Sequence, residues 1–237
     1  MQKSARERVT HYDWEQIATD LDELGYARLP ALLSAGECRA LAALWGEEKH
    51  FRSHVILEKH RFGRGAYKYF ARPLPPLVES LRTAFYSRLA RIANTWREAL
   101  GEGERFPSTL RAFLAHCRAN GQTRPTPLLL HYTRDGFNCL HQDLYGAVAF
   151  PLQVTCLLSR PERDFRGGEF LLVEQRPRRQ SAGEAIALRA GEAIVFPTRE
   201  RPVEGVRGIY RAQTRHGVSR IHSGERATLG LIFHDAK

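Results

Sequence analysis

The sequence predicts an α+β fold in which helices of the first half buttress a jelly-roll core, a double-stranded β-helix, built from the second half. Three observations carry that expectation. Apolar residues recur at helical spacing in several stretches before residue 121, whereas from Pro127 onward they fall into short runs between turn signals. Those later runs are rich in β-branched and aromatic residues, and glycine and proline punctuate them. The chain accordingly divides into a mainly helical segment, 1–126, and a jelly-roll core, 127–237.

Taken in order, Trp14, Ile17, Leu21 and Leu24, with Ala18 beside them, are spaced as one helix face over 12–24, and Gly25 is placed to end it. A short strand follows at 26–29. Ser34, with Glu37 three residues later, completes a capping box for a helix running to about Trp45. Pro75 and Pro76 open a long helix through Leu100 that the glycines at 101 and 103 stop, and 108–120 makes one more, with Gly121 after it. In the second half, strands are expected over 128–133, 147–158, 169–174, 184–188, 193–197 and 229–234. Arg166-Gly167-Gly168, the stretch 177–183 and Ala190-Gly191 separate several of them. Many short strands between such turns have the rhythm of a jelly roll.

Segment 48–73 differs in character. Its lysines, arginines and histidines alternate with Phe51, Phe62, Tyr67, Tyr69 and Phe70, the mixture that holds phosphates and stacks bases. It is a candidate substrate lid. A hairpin that packs its aromatics inward and solvates its charges would read the same way.

At 237 residues and 27.0 kDa the chain is long enough to bury a substantial core. Cys38, Cys117, Cys139 and Cys156 stand far apart, with no Cys-x-x-Cys pair, which speaks against a zinc site and a disulfide framework. They are expected to be small buried residues. The polar start has no apolar signal core and no later run approaches transmembrane length, so a soluble cytoplasmic protein without a membrane partner is expected. Lys and Arg number 36 against 26 Asp and Glu, a net charge of +10. Such a balance favours a polyanionic partner, nucleic acid first, unless it is only a solvated arginine-rich surface. Arg176, Arg178, Arg179, Arg199, Arg201, Arg207, Arg211 and Arg215 are expected in loops around the core.

The chemistry is concentrated at 131–146. His141 and Asp143 stand two apart on or beside a strand, where such residues point to one side. An imidazole and a carboxylate aimed at one point make two thirds of the 2-His-1-carboxylate face that binds Fe(II) and leaves positions open. A downstream histidine would complete it, and His216 is followed ten residues later by Arg226 and then by Thr228. This series resembles the 2-oxoglutarate-dependent Fe(II) dioxygenases, whose signature is His-x-Asp, a distal His and a basic residue about ten positions on.

The resemblance implies Fe(II) held by His141, Asp143 and His216, with 2-oxoglutarate as cofactor and O2 as co-substrate. It also implies that Arg226 forks onto the distal carboxylate of 2-oxoglutarate through two parallel charge-assisted bonds, with the Thr228 hydroxyl beside it. Tyr132, nine residues before His141, matches the tyrosine that bonds this carboxylate in prolyl-hydroxylase-like members. His222 could compete as a ligand if its strand is regular, but only His216 stands ten before Arg226. His131 should point away from the site by strand alternation. The His-x-His pair of the cupins that lack 2-oxoglutarate is missing.

For the substrate, two likenesses pull apart. Leu140-His141-Gln142-Asp143 with Tyr132 upstream resembles the AlkB-type nucleic-acid demethylases, and the basic charge suits them. Their late pair of arginines is absent, however, and the segment after Arg226 is short, as in prolyl-hydroxylase-like proteins. The whole pattern, including Asp143-Leu144-Tyr145-Gly146, resembles a bacterial group of oxygenases suspected of acting on damaged DNA. The expected activity is therefore hydroxylation or oxidative demethylation of alkylated nucleic-acid bases, with Tyr67, Tyr69, Arg72 and Tyr145 as candidate substrate residues. A protein or peptide hydroxylase of prolyl type is the alternative. A non-catalytic nucleic-acid-binding jelly roll is a third reading, which an intact triad disfavours.

Overall fold

A computed structural model describes residues 3–237. Helix α1 (Ala5–His11) opens on a capping box the sequence reading passed over, in which Ser4 and Glu7 satisfy each other's backbone N–H groups. Helix α2 (Trp14–Glu23) is capped by Asp13, whose carboxylate accepts from Glu15 and Gln16 N–H. Gly25, at φ +82°, then turns the chain into β1 (Ala27–Leu29). Helix α3 (Ala35–Ala43) starts at the expected Ser34 and Glu37 box. Segment 48–73 supplies β2 (Phe51–Ile56), the single turn α4 (Leu57–His60), β3 (Gly63–Arg64) and β4 (Ala66–Phe70). The long helix α5 (Pro76–Ala99) has a proline in its first turn, where a missing N–H costs nothing, and α6 (Leu110–Ala119) is capped by Thr109.

The remaining strands are β5 (Leu128–Tyr132), β6 (Phe137–His141), β7 (Leu152–Leu157), β8 (Phe165–Gly167), β9 (Phe170–Gln175), β10 (Ala182–Ile186), β11 (Ala193–Pro197), β12 (Glu200–Gly205), β13 (Gly208–Val218), β14 (Ile221–Gly224) and β15 (Arg226–Leu231). They form a seven-stranded sheet in the order β1-β11-β7-β15-β5-β4-β2. A second sheet runs β10-β9-β13-β6-β3, with β12 on β13, and β14 pairs β8. The two larger sheets make the jelly roll.

Period-two alternation sorts the main sheet's side chains into two layers. Val154 and Cys156 on β7, Leu229 and Leu231 on β15, and Phe70 on β4 join a core with the helices, to which α5 adds Val78, Leu81, Phe85, Leu89 and Trp96 at helical spacing. Each fully buried side chain of this size contributes roughly 1.5–3 kcal/mol. Opposite faces of the same strands look toward the second sheet, where Tyr132, Leu157, Ile194 and Phe196 pack with Phe170, Leu172 and Val218. Between these inner faces lies the cavity described below.

Several elements depart from expectation for definite reasons. The run 147–158 is strand only from Leu152. Pro151 has no N–H to give a ladder, and the Gln122 side chain bonds both the N–H and the carbonyl of Val148. Strand β15 begins three residues before the expected 229, so Arg226 and Thr228 lie on it. Strands β8 and β12 were not expected, and β6, β13 and β14, which carry His141, His216 and His222, were expected only as strands without bounds. One face of the second sheet is solvated, and runs such as Arg211-Ala212-Gln213-Thr214-Arg215 are too polar to stand out.

Segment 48–73 is a hairpin whose β4 pairs with β5, so the residues before and after 126 share one sheet. Arg201, Arg211 and Arg215 are on strands rather than in loops, and Arg201 is buried against Glu174 at 2.7 Å. Cys139 is exposed while the other three cysteines are buried. Among the described residues, no helix is long and apolar enough to cross a membrane.

Candidate active site

His141 is the last residue of β6, and its partner across the β6 and β13 ladder is His216. That register sets the two imidazoles side by side, with ring centroids 4.2 Å apart. Asp143 lies beyond the end of β6, so strand alternation does not aim it. Gln142 does so by donating its amide N–H to the carbonyls of Arg199 and Thr214, which curls the chain back over the histidines. Asp143 Oδ2 comes to 3.2 Å from His216 Nε2, and its Oδ1 to 3.6 Å from His141 Nε2. All three candidate donor atoms lie within 4.8 Å of one another. Two imidazoles and one carboxylate on a common face are a donor set suited to Fe(II).

Neighbouring groups prepare these donors. His141 Nδ1 is 2.8 Å from the Cys139 carbonyl, which as an acceptor calls for the proton on Nδ1 and leaves the Nε2 lone pair facing Asp143. His216 stacks on Phe170 at 6.0 Å and meets the Phe196 ring at a tilt of 58°. Burial, and after it the His141 charge, lower its pKa, and the Asp143 carboxylate partly offsets them. Burial alone would raise the Asp143 carboxyl, but the His216 hydrogen bond and the His216 and His141 charges outweigh it and hold the group well below the usual carboxylate range. Tyr145 Oη donates to Asp143 Oδ1 at 2.5 Å.

Arg226 stands opposite Tyr132 in the β15 and β5 register. It is 2% exposed, and its Nε and Nη1 have no hydrogen-bond partner. Tyr132 and Phe165 present their rings with centroids 5.9 Å from the guanidinium carbon. Burial lowers its pKa to about 10, partly offset by Tyr132 and Glu169. A buried cation with free donors is costly until an anion docks on it, and a dicarboxylate reaching from the triad would supply one. Thr228 is one inward position along β15, and Tyr132 Oη accepts from Asn138 Nδ2 at 3.2 Å. The site thus fits both groups: a three-donor face for iron and an unsatisfied guanidinium for the distal carboxylate.

A cavity of about 520 Å³ joins these parts, and Tyr67, Tyr69, Tyr132, His141, Asp143, Tyr145, His216, Arg226 and Thr228 all line it. Arg72 does not. Its Nη2 donates to the buried Asp235 at 2.5 Å, and Asp235 also holds Arg82 at 2.9 Å. His222 is exposed on β14 and outside the donor cluster, and His131 stacks on Trp45, away from the cavity. Sequence reasoning missed Asn138, Gln142 and Gln153. Of these Gln153 left a signal, as a glutamine inside an apolar run; it is 3% exposed, lines the cavity and leaves Nε2 unpartnered.

Residues 65–236 match the Oxygenase-NA family, described as oxygenases catalysing oxidative methylation of damaged DNA. The chain belongs to this family. An uncharacterized protein of Mycobacterium tuberculosis, matched in two strains, is 52% identical to the oxygenase over 173 residues, 73% of this chain and 74% of the relative. A prolyl hydroxylase from Trichoplax adhaerens in complex with a hypoxia inducible factor peptide fragment superposes with a TM-score of 0.57 at 12% identity, covering 99% of this chain and 94% of that one. A 2-oxoglutarate and Fe(II) oxygenase-family protein from Burkholderia pseudomallei gives 0.53 at 18%, covering 95% and 93%. At such identities these two likenesses concern the fold. The enzyme is an oxygenase whose His-Asp-His face suits Fe(II). Bound at this face and at Arg226, Fe(II) and 2-oxoglutarate would supply oxidation by O2 of a substrate C–H bond, with 2-oxoglutarate leaving as succinate and CO2.

Proposed function

We propose that the oxygenase oxidises alkylated bases in nucleic acid, with His141, Asp143 and His216 holding Fe(II) and with Arg226, Tyr132 and Thr228 receiving the distal carboxylate of 2-oxoglutarate. The observation that carries the residue assignment is the buried, unpartnered Arg226 guanidinium on the wall of the cavity that the His-Asp-His face also lines. For the substrate, support comes from the family's description and the net charge of +10. The aromatic lining of Tyr67, Tyr69 and Tyr145 adds to it, since an extruded base is held by stacking. Hydroxylation of an N-methyl carbon leaves an N–CH2OH group, whose C–N bond breaks to release formaldehyde and restore the N–H. A cytoplasmic location goes with this substrate.

The test uses the Fe(II)-loaded enzyme with 2-oxoglutarate and a panel of single-stranded oligonucleotides bearing N-methylated bases. Succinate release should rise above the rate without substrate, with formaldehyde formed in step, and Asp143→Ala should abolish both. Stimulation by peptide fractions but by no oligonucleotide would replace this reading with that of a peptide hydroxylase.

A further inference from the structure

The mouth of the cavity is unusually apolar. Phe62, Leu140 and Leu144 are 49%, 42% and 41% exposed, and they are three of the six exposed large hydrophobic residues among those described. All three line the cavity that holds the triad, and exposed apolar side chains gathered at one rim mark a contact surface.

Phe62 is exposed but not loose. Its N–H donates to the Leu57 carbonyl at 3.1 Å, and its own carbonyl accepts from Cys139 N–H at 2.8 Å, which ties the turn to β6. The turn demands special backbone on both sides. Arg61 sits in the left-handed region at φ +60°. Gly63, at φ +135°, lies so close to β6 that a Cβ would come within 2.3 Å of the Phe137 carbonyl. His60 stacks on the outer ring at 5.4 Å and 23°. Lys59 and Arg61 stand exposed beside it, and neither has an ion-pair partner among the described residues. An exposed ring on the lining of the cavity, with two exposed cations one and three residues before it, matches a base and its flanking phosphates.

We propose that Phe62, bordered by Leu140 and Leu144, is the platform on which the base next to the oxidised one stacks, and that the substrate is accordingly a single strand with Lys59 and Arg61 on its phosphates. This rests on the nucleic-acid reading above.

The test measures binding of a single-stranded oligonucleotide with one N-methylated base by fluorescence anisotropy, anaerobically, to the enzyme loaded with Fe(II) and 2-oxoglutarate. Loss of one stacked base corresponds to a weakening of about tenfold, expected for Phe62→Ala and restored in Phe62→Trp. An abasic position beside the methylated base should weaken the wild type equally and make wild type and Phe62→Ala alike. Cys139, an exposed cysteine whose backbone N–H donates to Phe62 of this turn, gives a second readout that needs no Phe62 variant. A disulfide-activated tether on the neighbouring base should cross-link to Cys139, and a tether several nucleotides away should not. If the wild type binds and responds to methylated oligonucleotides while Phe62→Ala loses the same factor on intact and abasic strands, or loses nothing, the platform is wrong and the substrate reading stands. Cross-linking independent of tether position would overturn it likewise. A wild type that no oligonucleotide binds or stimulates sinks the substrate reading and the platform with it.

Discussion

Replacing Arg226 by Met should stabilise the ligand-free oxygenase while weakening its response to 2-oxoglutarate. Methionine keeps most of the buried volume, so little cavity is left. What disappears is a cation whose Nε and Nη1 have no partner. Burial brings its pKa down to about 10, which corresponds to a cost of roughly 3 kcal/mol at 1.36 kcal/mol per pKa unit. Because the folded value lies below the unfolded one, the cost grows as pH falls through the alkaline range. It is complete below about pH 10, so it is constant across neutral pH. Contacts with the Tyr132 and Phe165 rings return part of it, so 3 kcal/mol is the upper bound of the gain. Charge-assisted bonds to 2-oxoglutarate are worth about 1.5–3 kcal/mol, between roughly tenfold and a hundredfold in affinity. In thermal melts of the metal-loaded protein, wild type should gain stability with 2-oxoglutarate, by about 2.7 kcal/mol at a hundred times its dissociation constant. At the same 2-oxoglutarate concentration Arg226→Met should start higher and gain only about 0.4–1.4 kcal/mol, with its metal content unchanged. A variant that starts lower and gains as much as wild type would refute the anion-receptor argument.

His216→Ala should lose iron while His222→Ala retains it, as measured by metal content after anaerobic loading and desalting; the reverse pattern would transfer the ligand role. Tyr145→Phe removes the 2.5 Å bond to Asp143 Oδ1 and should weaken metal affinity by about tenfold or more, read by competition with a chelating dye, whereas unchanged affinity would make that bond incidental. Asp235→Ala leaves the fully buried Arg82 without its carboxylate and should cost roughly 3–5 kcal/mol. Chemical denaturation reads it, and a loss below about 1 kcal/mol would show that the carbonyls of Ile232 and Phe233 suffice for Arg82.

The linear sequence by itself, through its resemblance to a known signature, determined which chemistry to expect. The order and spacing of Tyr132, His141, Asp143, His216, Arg226 and Thr228 could be read without knowing how any strand pairs, because the types of donor decide which metal and which anion can be held. Caps and periods were legible for the same local reason: Ser34 and Glu37, Pro76, and the alternation on β15 each depend on neighbours a few residues away. Only the tertiary structure decided what depends on contacts between distant segments. The register of β6 on β13 sets His141 against His216, and Gln142 reaches residues 199 and 214 to turn Asp143 toward them, so the aim of the carboxylate came from a loop and not from strand alternation. Burial likewise belongs to the packed whole. Arg226 and Arg201 are both arginines in polar surroundings when read along the chain, yet one is buried with free donors facing a cavity and the other is buried in an ion pair with Glu174. That difference separates a candidate binding group from a structural one. No local pattern encodes it, because it depends on which strands the core's packing brings alongside.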